Sequence, residues 1–240
     1  MSQFYASLFA DDASRLIAAG CLVLTVVLYF ASKALYARVK SLWLAPLVAV
    51  PVVLAAIVLV AHIPYPVYFE DTRWLMWLLG PATVAFAVPI YEYRALLKRH
   101  WISLSVGVTV GILVGVGGSL MLAKLLHLSP ELQRSLMTRS VSTPFALAVS
   151  DKIHAPKDLT ALFVIATGVC GMLFGELVLG FVPLRTRLAR GASFGAAAHG
   201  IGTAKARELG SEEGVVASLT MMIAGVVMVL LAPMLSLLPI

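Results

Sequence analysis

Five apolar runs govern what this chain can become. They cover residues 16–36, 42–62, 101–127, 158–183 and 214–238, and they hold almost no charge. A helix needs about 20 residues to cross the roughly 30 Å hydrocarbon core of a bilayer, so all five read as spans. In that solvent every backbone N–H and C=O must find a partner. Irregular backbone is tolerated only where it is packed in protein or lines a wet cavity.

Composition agrees. The chain is 60% hydrophobic and 12% charged, against about 25% charged in a typical soluble domain, and its mean hydropathy is +0.96. No polar linker divides it, so residues 1–240 read as a single integral-membrane domain. The expected fold is all-α and polytopic, with about five to seven spanning helices plus broken or re-entrant ones. The N-terminus lacks the basic region of a signal peptide, so the first run is read as a retained helix.

The net charge of +6 resides in short clusters between apolar runs: Lys33, Arg38 and Lys40; Arg94, Lys98 and Arg99; Arg185, Arg187 and Arg190. This is the positive-inside pattern and not a nucleic-acid surface. All three clusters fall on the cytoplasmic side if the N-terminus is outside and 139–153 re-enters instead of crossing. Cys21 and Cys170 lie in apolar stretches without CxxC spacing and read as buried, inert thiols.

Three further segments are apolar but interrupted: 73–93 with Gly80-Pro81 and Pro89, 139–153 with Pro144 after three hydroxyl residues, and 191–207, made almost wholly of small residues. AFAVP (85–89) resembles ALAVS (146–150), and GVGG (115–118) resembles GVCG (168–171). The order of a break followed by a glycine-bearing helix thus occurs twice. An inverted repeat is expected, because transporters place broken helices at corresponding positions around the substrate; chance similarity of low-complexity apolar sequence is the other reading.

The breaks carry the chemistry. A half-helix starting near Pro81 would aim free N–H groups and the positive end of its dipole at an anion, with Thr83 adding a hydroxyl; a plain proline kink is the other reading. Ser142 and Thr143 before Pro144 form a helix N-cap pattern, and Arg139 could grip a carboxylate with a forked pair of hydrogen bonds; an ordinary capped surface helix with a snorkelling arginine is the other reading. Glu176 is the one acidic residue deep in an apolar run. It either carries a coupling proton or pairs with Arg185 or Arg187 near the interface. His199, framed by Gly200 and Gly202, has no second ligand at metal spacing. Substrate contact, proton handling and quiet packing stay open for it. Neither enzyme signatures nor cofactor motifs occur, and the chain reads as a non-enzyme without cofactors.

The blocks LLGPATVAFAVPIY, RSVSTPFALAVS and ARGASFGAAAHGIGTAKA, in this order, resemble the LrgB/CidB family of bacterial inner-membrane proteins. That family is related to the membrane half of the plant plastid glycolate/glycerate translocator. The resemblance implies transport of small monocarboxylates such as glycolate, glycerate, pyruvate or lactate. It equally carries an older description, a holin/antiholin-like control of murein hydrolase export and autolysis with a small LrgA/CidA-type partner. It implies functional roles for Pro81, Thr83, Thr143, Pro144, His199, Gly200, Gly202 and Thr203. Ala198 stands where the family commonly has serine, and His154-Ala155 where it often has Gly-Gly. Combined with the residue reading, the half-helix ends at Pro81 and Pro144 are expected to face each other near the bilayer midplane. Their N–H groups would then hold a carboxylate with Thr83, Ser142 and Thr143, beside Arg139, in a homo-oligomer of the inner membrane, a dimer in keeping with its many small residues.

Overall fold

The computed structural model describes residues 2–39, 44–85, 87–182 and 184–238; for residues 2–12, 82, 83, 89 and 176 it describes the backbone alone. Among the described residues every regular element is a helix. They fall into two compact units, Met1–Pro81 and Ala82–Ile240.

In the first unit the long helix α1 (Ser2–Val39) packs against α2 (Pro46–Val60) and α3 (Tyr65–Trp77). The Ser32 hydroxyl donates to the Leu44 carbonyl at 2.8 Å, tying α1 to the start of α2. The run 42–62 yields only the 15-residue α2, about 22 Å long at 1.5 Å per residue, shorter than a bilayer core. It starts on Pro46 at a first-turn position, where the missing N–H costs nothing, and ends in a left-handed His62. The interrupted segment 73–93 is broken as expected, into the end of α3, the short α4 (Leu79–Ala85) and α5 (Ala87–Glu92).

The second unit holds α5, α6 (Arg94–Leu125), α7 (Pro130–Met137), α8 (Thr143–Ile153), α9 (Lys157–Phe181), α10 (Arg187–Leu209) and α11 (Ser211–Leu235). With residues 13–39 of α1, the helices α6, α9 and α11 are long and apolar enough to cross a membrane. Exposed Leu113, Leu162, Phe174 and Leu177 suit a lipid surround. The apolar stretch of α11 is 61% buried, against 33% for α6 and 18% for α9. It is therefore the central post of this unit, apolar all round because protein surrounds it.

Two helical hairpins flank that post. The first is α10. Gly191 lies against Glu213 and Val216, Gly195 against Ala217, and Gly200 near Met221, so residues 191–200 run in the same direction as α11. The chain then returns: Thr203 lies beside Met221, and Arg207 reaches Gly214 and Ser218. Gly202 thereby packs on the Phe194 carbonyl and Ala198, whereas a straight helix would hold residues 194 and 202 about 12 Å apart. The reversal falls on His199, whose φ of 39° and ψ of −126° break the helix. The interruption expected from the glycines is therefore carried by the histidine; no described glycine takes a left-handed φ.

The second hairpin is α7–α8. Arg134 of α7 shares a cavity wall with Ile153, His154 and Leu235, while Phe145 packs on Gly225. The two helices are thus antiparallel, and α8 runs along the C-terminal half of α11. The hairpins enter from opposite ends of α11. The α10 tip reaches Met221, about 15 Å along the post from Ser211, which is half of a roughly 30 Å core.

Small residues make this possible. On α9, Gly168, Gly171 and Gly175 take the approach of Ile201, Ala198 and Phe194. Of the GVGG block, Gly115 is packed by Ser140, while Gly117 and Gly118 face open space. A Cβ on Gly195 would sit 2.9 Å from the Ala217 Cα, a main-chain atom that cannot swing aside. Gly195→Ala is therefore expected to destabilise the protein by about 1–3 kcal/mol, and Gly118→Ala to be neutral or slightly stabilising. Thermal unfolding of the detergent-solubilised variants checks this; equal midpoints would contradict the packing.

Candidate functional site

The break between α7 and α8 is local in origin. The chain leaves α7 through a turn at Thr138 and re-forms a helix at Thr143, with Ser142 as the extended N-cap residue. Pro144 stands one position later than the sequence pattern predicts, second in the helix and not first. Ser142 does not cap with its side chain: its Oγ is buried without a partner. Thr143 and Pro144 are half-buried.

Arg139 occupies the tip itself. Its Nε donates to the Ser119 Oγ at 2.7 Å, and Ser119 in turn donates to the Gly115 carbonyl, so α6 orients the guanidinium. Among the described residues no carboxylate pairs with it. Arg139 lines two cavities. One, about 450 Å³, is walled by Gly107, Gly111 and Gly115 of α6 and by Ala192, Ser193 and Ala196 of α10. The other, about 430 Å³, is walled by Phe163, Thr167 and Cys170 of α9. Both fall within the size of small-molecule sites, about 300–1,000 Å³. Cys170 is exposed there, which corrects its expected burial; Cys21 is buried.

At the opposing tip His199 is 3% exposed. Its imidazole lies beside the Val164 main chain, and its Nε2 has no partner. Its ring also packs on Gly168. The Thr203 hydroxyl donates to the His199 carbonyl at 2.8 Å and so fastens the reversal from within. Gly200 is exposed, whereas Gly202 is buried under residues 194 and 198. A non-glycine residue at such φ and ψ is strained by about 1–3 kcal/mol, and a buried unpaired polar atom costs about 1–3 kcal/mol more. Thr160, one turn before Val164 on α9, is a further fully buried hydroxyl without a partner.

Of the sequence-derived residues, the structure brings Arg139 to the cavities that the α10 tip also walls. Ser142, Thr143, Pro144, His199, Gly200, Gly202 and Thr203 lie at or beside the two tips without lining those two cavities. Pro81, in the first turn of α4, belongs to the first unit. The backbone at Thr83 and Glu176 is helical, and their side chains lie outside the described residues. Ser119 and Ala197 went unremarked in the sequence; the serine directly after GVGG was the available signal for the first. Among the described residues no three His, Cys, Asp or Glu side chains cluster as metal ligands would.

What the arrangement can do is hold an anion. The helices α8 and 200–209 both begin at the tips, and each presents unpaired N–H groups and the positive end of its dipole there. The Arg139 guanidinium adds a full charge. Because the imidazole and the strain at His199 are separable, His199→Gly is expected to be more stable than His199→Ala by about 1–3 kcal/mol, although both lack the ring. Chemical or thermal unfolding of the two variants checks this. A more stable alanine variant would remove the strained tip.

Comparison with known proteins agrees with the resemblance in the motifs. The model of the LrgB-like family matches residues 25–238. "Uncharacterized protein YwbG" of Bacillus subtilis (strain 168) is 38% identical over 214 residues, covering 89% of this chain and 95% of that protein. "Uncharacterized protein YxaC" of the same organism is 30% identical over 205 residues, covering 85% and 89%. No solved structure matches the chain. An all-helical, polytopic membrane protein, the chain belongs to the LrgB-like family.

Proposed function

We propose that this protein carries small monocarboxylates, of the glycolate, glycerate, pyruvate or lactate type, across the bacterial inner membrane. The observation that carries the reading is Arg139, held by Ser119, free of any described carboxylate and exposed to two cavities whose walls it shares with Ala197 of the other hairpin. A planar guanidinium with donors in a fork matches a carboxylate. Two helix N-termini aimed at the same depth favour an anion over a cation. Ser142 and Thr143 supply hydroxyls at one of these ends, and Gly200, Gly202 and Thr203 form the start of the other. Pro81 and Thr83 are carried as further contacts on the family resemblance alone.

His199 and Glu176 are the candidates for proton coupling. They are titratable side chains that the sequence places in the third break and deep in an apolar run. Coupling predicts that an imposed pH gradient drives uptake and that His199→Gly abolishes the response while leaving exchange of labelled for unlabelled substrate. A small LrgA/CidA-type membrane partner and a homodimer belong to the same proposal.

The test is uptake of radiolabelled glycolate, lactate and pyruvate into proteoliposomes. Saturable uptake is expected, falling at least tenfold in Arg139→Gln, with Arg139→Lys in between because it keeps the charge and loses the fork. No uptake of any of them, with or without the small partner, overturns the reading. Non-saturating dye leakage from the same vesicles would support a holin-like regulator of murein hydrolase export instead.

A further inference from the structure

The two cavities at Arg139 are staggered along the membrane-crossing direction. Residues 171–175 of α9 run antiparallel to 194–198, Gly175 meeting Phe194 and Gly171 meeting Ala198, and Gly168 meets Ile201 just past the tip. The α6-side cavity spans the level of Ala192–Ala197, toward the α9–α10 connection. The α9-side cavity spans Phe163–Gly171, at the level of the α10 tip and past it, toward the α8–α9 turn. Two residues belong to both walls, Arg139 on one hairpin and Ala197 on the other. Ala197 also lines a third, apolar cavity against α9, and it lies two positions before the strained His199.

We propose that Arg139 and Ala197 form the constriction between two vestibules on a single path, and that the small side chain at 197 sets its width for a small carboxylate. This rests on the transport reading above and deepens it. Arg139 draws the anion from either vestibule, and Ala197 leaves room for it to pass the guanidinium. Methyl is the smallest side chain that still covers the helix backbone, so the bore at this point excludes bulky or branched acids. The reversal at His199 places Ala197 at a helix end, where a change in one residue's φ and ψ would shift it relative to Arg139.

Two measurements on the full chain test this. In the first, Ala197→Phe is expected to lower glycolate uptake at least tenfold, while Leu162→Phe, on an exposed face of α9, stays at the wild-type rate. Should Ala197→Phe fail to fold, Ala197→Cys in a Cys170→Ser background is reconstituted first and alkylated afterwards with N-ethylmaleimide; uptake is expected to collapse on alkylation. Wild-type rates in Ala197→Phe, or in the alkylated protein, overturn the constriction while leaving transport intact. The second needs no substrate. Native Cys170, and Ser193→Cys in the Cys170→Ser background, are labelled with a membrane-impermeant maleimide in spheroplasts and in inverted vesicles. Labelling from opposite sides is expected; labelling of both from the same side overturns the two-vestibule path. Opposite-sided labelling in a protein that takes up no carboxylate would retain the path and refute the carboxylate.

Discussion

The second unit depends on how closely 187–198 approaches α11. Gly191 and Gly195 rest on main-chain atoms of Glu213 and Ala217, so no side chains separate the two helices there. In a membrane, lipid tails are as apolar as leucine, and helices associate through close packing instead of through escape from water. Small residues at this contact therefore supply the attraction. They also let the ingoing half of the hairpin fit between α9 and α11. Phe194, Ala206 and Ala217 close into one buried cluster across both halves of the hairpin, which holds it folded on itself.

The histidines have a common feature. His62, His127 and His154 each adopt left-handed φ just past a helix. The amides of Ile63, Leu128 and Ala155 each reach back to a carbonyl five residues earlier, as in a Schellman cap, which usually ends on glycine. His100 kinks α6 and His199 reverses α10. All five thus mark departures from helical backbone. His154 ends α8 in the left-handed conformation that glycine usually supplies; histidine is among the residues enriched at positive φ.

The site follows from the same geometry. Hairpins that stop halfway must leave helix ends inside, and helix ends leave backbone groups unpaired. Both returning helices start at the tips, so the unpaired groups include N–H donors of one sign. Arg139 adds to that field, and Ser119 on α6 fixes where its charge sits. An anion at this depth would meet donors already oriented. Ser142, Thr160 and His199, each buried with an unpaired polar atom, extend the polar character of the region into an otherwise apolar core.

Much of this was legible in the residues. Apolar length marked α1, α6, α9 and α11 as spans, because burying twenty apolar residues in lipid needs no other element's help. Proline and hydroxyl placement located the 142–144 helix start to within one residue, because N-cap chemistry is local. The rest required the folded chain. That 191–207 is a hairpin, that its reversal falls on a histidine amid glycines better suited to it, and that it shares cavity walls with Arg139 depend on what α9 and α11 allow beside them. So does the exposure of Cys170, which an apolar run alone reads as buried. Sequence periodicity records which residues prefer lipid or a helix; it does not record which two helix ends, far apart in the chain, share one depth, since only packing in three dimensions brings them there.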